Sequence, residues 1–178
     1  MDKNLRSRLF WITALLCFLS LFLFLGQSNF HTRGEPREAL VAMAMLEEGN
    51  WTLPITNGTD IAYKPPLFHW AIASLSSITN GVNEYTSRMP SAIALTIMIL
   101  AGFSFYAKRR GKEIAFLAAI ITLTNFEVHR AGVACRVDML LAALMVLALY
   151  ALFQWTERKM KGIPWWGILY LSGEKKKK

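Results

Sequence analysis

Four apolar blocks with the charge confined between them restrict this chain more than any motif does: residues 9–25, 90–107, 114–126 and 139–155. A helix needs about 20 mostly apolar residues to cross a bilayer, and about 17 at the short limit. Three blocks reach that once their flanks are counted. The third, 114–126, is short and must run on through Val128 or further. At 54% hydrophobic residues the chain also exceeds the roughly 45–50% of soluble domains. The reading is an all-α, polytopic membrane protein.

The first block follows Lys3, Arg6 and Arg8, as a secretory signal does. Its apolar run exceeds the usual 7–15 residues, and Gly26-Gln27-Ser28 is a poor cleavage site. It reads as a retained helix. Basic residues then collect at Lys3/Arg6/Arg8, at Lys108-Arg109-Arg110 with Lys112, and at Arg158/Lys159/Lys161. The positive-inside rule puts all three clusters in the cytoplasm, with an even number of crossings between each pair. Part of the net charge of +8 belongs to the closing run of four lysines. No basic stripe is interleaved with exposed aromatics, so nucleic acid is not an expected partner.

Residues 67–79 are the awkward segment. A crossing there would move the 108–112 cluster outside, and the stretch is short. It reads instead as a helix begun by Pro65-Pro66, lying at the outer interface or against the bundle. Four spans result. The outer face receives a long loop, 27–87, and a short one around 127–137. In the long loop Ala39, Leu40, Met43, Ala44 and Leu46 mark an amphipathic helix over 37–48, with Pro36 in its first turn and Gly49 as its stop. Trp51, Leu53 and Ile55 alternate with polar residues before Asn57-Gly58, a turn signal. The organisation expected is a cytoplasmic start and first span (1–26), the outer loop (27–87), spans two to four (88–162), and 163–178. Trp165 and Trp166 open a fifth span there that the lysine run cuts short. Either the natural protein is truncated here, or a longer one has been cut or frame-shifted.

The ionisable residues expected outside include Glu35, Arg37, Glu38, Lys64, Arg88, Glu127, Arg130, Arg136 and Asp138. Each has a plain structural reading. Glu35 suits any helix start through the helix dipole. Arg136 and Asp138 open the last apolar block, where an acidic residue is costly unless paired or wet; they serve equally as an interfacial salt bridge. Lys64 before two prolines fits a solvated loop. His31, His69 and His129 lack metal-ligand spacing and read as interfacial or packing residues. Cys17 and Cys135 fall in distant blocks, too far apart to bridge. Asn50 and Asn57 open glycosylation sequons, which matter only in a eukaryotic secretory setting.

The ordered set carries more than its pieces. Glu35-Pro36-Arg37, Glu48-Gly49-Asn50-Trp51 with Pro54, Asn57-Gly58, Tyr63-Lys64-Pro65-Pro66 with Trp70, Gly81-Val82-Asn83-Glu84 with Arg88, Pro90-Ser91, and Arg136-Val137-Asp138 together resemble a family of bacterial enzymes. These are the lipid-linked-sugar glycosyltransferases related to protein O-mannosyltransferases and lipid A aminoarabinose transferases. The likeness covers residues 9–155 and matches the N-terminal portion of those proteins. It implies a C-type glycosyltransferase-like helical bundle with a long helical first outer loop. It also implies a polyprenyl-phosphate sugar as donor, membrane lipids around it, and a lipid, glycan or protein acceptor at the outer face of the bacterial inner membrane. By the same likeness Glu35 and Asp138 are the catalytic carboxylates, and Lys64 contacts the carrier phosphate. Arg37, Arg136 and Arg88 are its further phosphate-binding candidates. The family motif begins with Asp where this chain has Gly34, so the base is Glu35 or the role passes to Asp138. No cofactor beyond the lipid-linked donor is implied, and metal dependence stays open.

Two other classes fit parts of the pattern. A non-catalytic membrane scaffold would use the basic clusters on anionic lipid, at about 1 kcal/mol per residue near the surface. A flippase for lipid-linked sugars would share the cations but need a polar path through the spans, which carry few charges.

Overall fold

The computed structural model describes residues 3–56, 60–61, 64–79 and 81–157. In chain order these form α1 (Lys3–Phe22), α2 (Gly34–Glu48), β1 (Ile55–Thr56), β2 (Asp60–Ile61), α3 (Leu67–Ile78), α4 (Glu84–Arg109), α5 (Lys112–Thr124), α6 (Phe126–Gly132) and α7 (Val137–Glu157). The Asn57-Gly58 turn, Tyr63, the 158–161 basic cluster and the expected fifth span lie outside the described residues.

Three helices, Asn4–Phe22, Glu84–Arg109 and Val137–Glu157, are long and apolar enough to cross a membrane. The third apolar block takes a form the hydropathy pattern does not announce, a bent helix pair that makes a fourth crossing only if its two halves are counted as one span. Thirteen residues of α5 rise only about 20 Å at 1.5 Å each, short of the ~30 Å hydrocarbon layer. The chain continues as α6 after a bend of 71°. Asn125 makes the joint: its N–H donates to the Ile121 carbonyl (3.0 Å), and its side chain accepts from the Val128 N–H (3.2 Å). One residue thus closes α5 and caps α6.

The α4 start is built with equal economy. Asn83 accepts from the Thr86 N–H (2.9 Å) while the Thr86 hydroxyl accepts from the Asn83 N–H (3.0 Å), a reciprocal cap. Pro90, further in, removes the N–H that would meet the Thr86 carbonyl.

Two cores result. The bundle core joins Cys17, Leu21 and Leu25 to Leu95 and Ile99 of α4, Ala119 and Leu123 of α5, and Met139 and Ala143 of α7. Small residues recur in it because close helix approach, rather than water exclusion, binds helices inside lipid. At Gly132 the approach is extreme: an added Cβ would sit 2.3 Å from Leu95 Cδ2. The second core belongs to the long loop. Val41, Ala42 and Met45 of α2 pack on Phe68, Ile72 and Ala73 of α3, with Cys135. Burying a side chain such as Phe68 or Met45 stabilises by about 1.5–3 kcal/mol.

The α2 helix ends where Gly49 turns left-handed (φ 68°). Beyond it the β1–β2 pair is antiparallel, Ile55 opposite Ile61 and Thr56 opposite Asp60. The Trp70 indole N–H donates to the Trp51 carbonyl (2.7 Å), tying this arm to α3. At 12 residues, about 18 Å, α3 is too short to cross. Phe68, His69, Ile72, Ala73 and Ser76 form its buried face. The outward-facing Trp11, Phe18, Leu141 and Leu149 suit lipid or further protein, not water. Cys17 and Cys135 are both free.

Candidate functional site

The amphipathic pattern of α2 is broken on its buried side by two carboxylates. Glu35 and Glu38 share that face with Ala39, Ala42 and Met45, one turn apart as i,i+3 spacing requires. Buried charge is tolerated only when paired and hydrogen-bonded, and each carboxylate has its own set of partners.

Glu35, 1% exposed, takes four. Its Oε1 accepts from Arg88 Nε (3.1 Å) and from the Cys135 N–H (3.0 Å). Its Oε2 accepts from the His31 N–H (2.7 Å) and the Thr32 N–H (3.4 Å). Burial alone would push this carboxyl up. The hydrogen bonds from Cys135, Arg88 and His31, with the charge of Arg88, outweigh it and hold the group below its ordinary value. Arg88 is equally committed. It donates to the carbonyls of Leu25 (2.9 Å), Ser28 (2.8 Å) and Asn29 (2.9 Å) and lies over the Phe30 ring. A guanidinium fork suits this many acceptors; an ammonium would not.

Glu38 binds the Lys64 ammonium through Oε1 and His69 Nε2 through Oε2 (2.7 Å). Burial again pushes the carboxyl up, and the hydrogen bonds from His69 and Lys64 with their charges bring it below its ordinary value. His69 is buried, and its Nδ1 has no hydrogen-bond partner. Lys64 is different: 28% of its side chain is exposed, so it is the member of this network that reaches the surface.

The two carboxylates surround one point. The buried Cys135 thiol is pushed up first by burial, then by Glu35 and Glu38, with Arg88 and Lys64 pulling the other way. Next along the chain, Arg136 Nε meets Asp138 Oδ2 at 3.0 Å; this pair is exposed. The Ser91 hydroxyl donates to the Arg136 carbonyl (3.2 Å) and anchors the segment on α4. Arg37 lies on the exposed side of α2. The structure therefore brings Glu35 to Arg88, Lys64 to Glu38, and Asp138 to Arg136, all at one end of the bundle. Arg109, which stacks on Phe105 and pairs with Glu157, is about 32 Å away along α4 at 1.5 Å per residue.

Sequence reasoning did not give Glu38 a role and left His69 as packing. The available signal was a second acid on the apolar stripe of α2. Among the described residues no group of three or more His, Cys, Asp or Glu is arranged to hold a metal ion.

The model of a family described as dolichyl-phosphate-mannose-protein mannosyltransferase matches residues 63–173, more than half of the chain. The chain belongs to that family. Among curated members of this mannosyltransferase group's wider kin, it is 27% identical over 139 residues to the undecaprenyl phosphate-alpha-4-amino-4-deoxy-L-arabinose arabinosyl transferase of Shewanella sediminis, covering 78% of this chain and 25% of that protein. It is 30% identical over 177 residues to arabinosyl transferase 2 of Proteus mirabilis, covering 93% of this chain and 31% of that one. Its fold is similar to that of ArnT from Cupriavidus metallidurans bound to undecaprenyl phosphate, with a TM-score of 0.72 at 21% identity, over 84% of this chain and 27% of that chain. The apo form of the same protein gives 0.68 at 22% identity, over 81% and 26%. The mannosyltransferase-family chain thus spans about a quarter to a third of the relatives it matches. Its fold is the helical membrane bundle of the matching part of ArnT, with the short β1–β2 pair as its only sheet among the described residues.

Proposed function

We propose that this chain supplies the donor-phosphate end of a membrane glycosyltransferase. The enzyme moves a sugar from a polyprenyl-phosphate carrier to an acceptor at the outer face of the bacterial inner membrane, with the N-terminus cytoplasmic. One observation carries the reading. A partly exposed lysine, Lys64, and an exposed Arg136–Asp138 pair stand at the same end as two buried, paired carboxylates. The fold likeness to a protein crystallised with undecaprenyl phosphate supports it.

The chemistry follows from the roles the side chains have free. An acceptor hydroxyl attacks the anomeric carbon, its proton passes to a carboxylate, and the carbon–oxygen bond to the lipid phosphate breaks with inversion. The departing phosphate needs cations against it. Glu35 already accepts four hydrogen bonds, so it holds Arg88 and the Cys135 segment in place. Asp138 has an exposed carboxyl with one oxygen on Arg136, which favours it as the base. Lys64 meets the phosphate, with Arg136 and the exposed Arg37 as further candidates for its oxygens.

The test is transfer of radiolabelled sugar from a polyprenyl-phosphate donor in membranes carrying the protein. Asp138→Asn should lower turnover by the ~10²–10⁴-fold typical of a lost general base while leaving membrane insertion intact. Turnover unchanged in Asp138→Asn would remove Asp138 from the mechanism. Lipid binding without transfer would favour the scaffold instead.

A further inference from the structure

The feature left over is the buried side of the Lys64 contact. A lysine that is to take a lipid phosphate is here already held by an anion, Glu38, whose other oxygen is held by His69. Neither Glu38 nor His69 faces solvent: the side chains are 3% and 1% exposed. Lys64 alone of the three is partly exposed. Arg88, by contrast, spends its donors on Glu35 and backbone carbonyls, so of the two cations on the buried acids Lys64 is the one with an exchangeable partner. The His69 ring has the Glu38 bond and an edge contact with Phe68 to place it; its Nδ1 is buried and unpartnered. Because Nε2 faces a carboxylate oxygen, it is the ring nitrogen that donates to Glu38. The ring therefore fixes that oxygen in place.

We propose that Glu38 is a resident counterion for Lys64. It occupies the ammonium while the phosphate site is empty, and a lipid phosphate monoester must displace it or share the lysine with it. His69 pins the second carboxylate oxygen, so that Glu38 stays on α2's buried side when Lys64 turns to the ligand. Glu38 and His69 are positioning residues that act through Lys64. The idea rests on the reading that Lys64 contacts the carrier phosphate. It adds that affinity for the carrier is set below what the lysine alone would give, because a fixed negative charge beside an incoming dianion opposes it.

The experiment measures binding of undecaprenyl phosphate to the chain in lipid nanodiscs, with ¹⁵N-labelled histidines as a second readout. Glu38→Gln keeps an oxygen toward Lys64 and removes the charge, so binding should tighten by about tenfold, the scale of 1.4 kcal/mol. Glu38→Asp, which draws the charge back by one methylene, should fall between. Lys64→Ala should weaken binding and abolish the gain from Glu38→Gln in the double variant. On adding the lipid phosphate, the His69 ring signal, assigned with His69→Gln, should shift in the parent chain and stay still in Lys64→Ala. A merely structural Glu38 would give weaker binding in both Glu38 variants and a silent His69. That result overturns the proposal while leaving Lys64 as a phosphate ligand. Binding unaffected by Lys64→Ala overturns the underlying reading, and the counterion with it.

Discussion

At the residue scale, the two buried acids differ in what their loss would expose. Removing Arg88 leaves Glu35 charged, 1% exposed, and facing the Leu25, Ser28 and Asn29 carbonyls that Arg88 had satisfied. Breaking such a pair from one side typically costs about 3–5 kcal/mol. Arg88→Met should therefore lower the thermal midpoint in detergent strongly, whereas a surface change such as Arg130→Ala, in an exposed pair with Glu127, should leave it almost unmoved. Acid sensitivity follows from the same groups. Glu35 and Glu38 both lie below their ordinary value of 4.5 when folded. Their contribution is present above that value and lost as pH falls through the lower, folded value. The midpoint should hold from neutrality to about 4.5, then drop. Glu38→Gln should show a shallower drop, and a drop as steep as the parent's would place the acid loss elsewhere. Of these residues Glu35, Glu38, Lys64 and Arg88 were all visible in the sequence as charges expected outside. Their pairing was not, because Glu35 and Arg88 stand 53 positions apart and Lys64 and Glu38 stand 26 apart. No local pattern encodes a pairing at that range.

The legible part is larger at the scale of elements. The amphipathic spacing and Gly49 placed α2, and Pro65-Pro66 placed the start of α3; the structure puts them at Gly34–Glu48 and Leu67–Ile78. Hydropathy located the third apolar block but not its shape. A period count over 114–126 sees one apolar run, and the 71° break depends on Asn125 taking two caps at once. Gly132 is the other half of that joint. Its Cβ position is already filled by Leu95, so Gly132→Ala should destabilise by the roughly 1–3 kcal/mol of an overpacked contact. Leu95→Ala in the same chain should restore part of the loss, readable as protease resistance in nanodiscs. Equal additive losses would mean that the contact does not limit the approach of α6 to α4.

For the whole molecule, the count of crossings rested on charge parity as well as hydropathy. Residues 67–79 are apolar enough to be miscounted as a span, and the 108–112 cluster is what argued against it. α3 is short and packs with α2 over a core of its own. Sidedness is open to direct measurement. Single cysteines at Arg110 and Arg136, placed in a chain whose Cys17 and Cys135 are buried, should react with an impermeant reagent from opposite sides of sealed vesicles. Both reacting from one side would mean that α5 and α6 re-enter rather than cross.

The Glu35–Cys135 bond joins positions 100 residues apart. A ribosome adding about 5–20 residues per second makes the first of these roughly 5–20 s before the second. During that interval the acid can find Arg88 but not its last donor, so the pocket is finished only as α7 begins to emerge. Nascent chains arrested just before Cys135 should leave Glu35 open to carboxyl-modifying reagents, and chains arrested well past it should not.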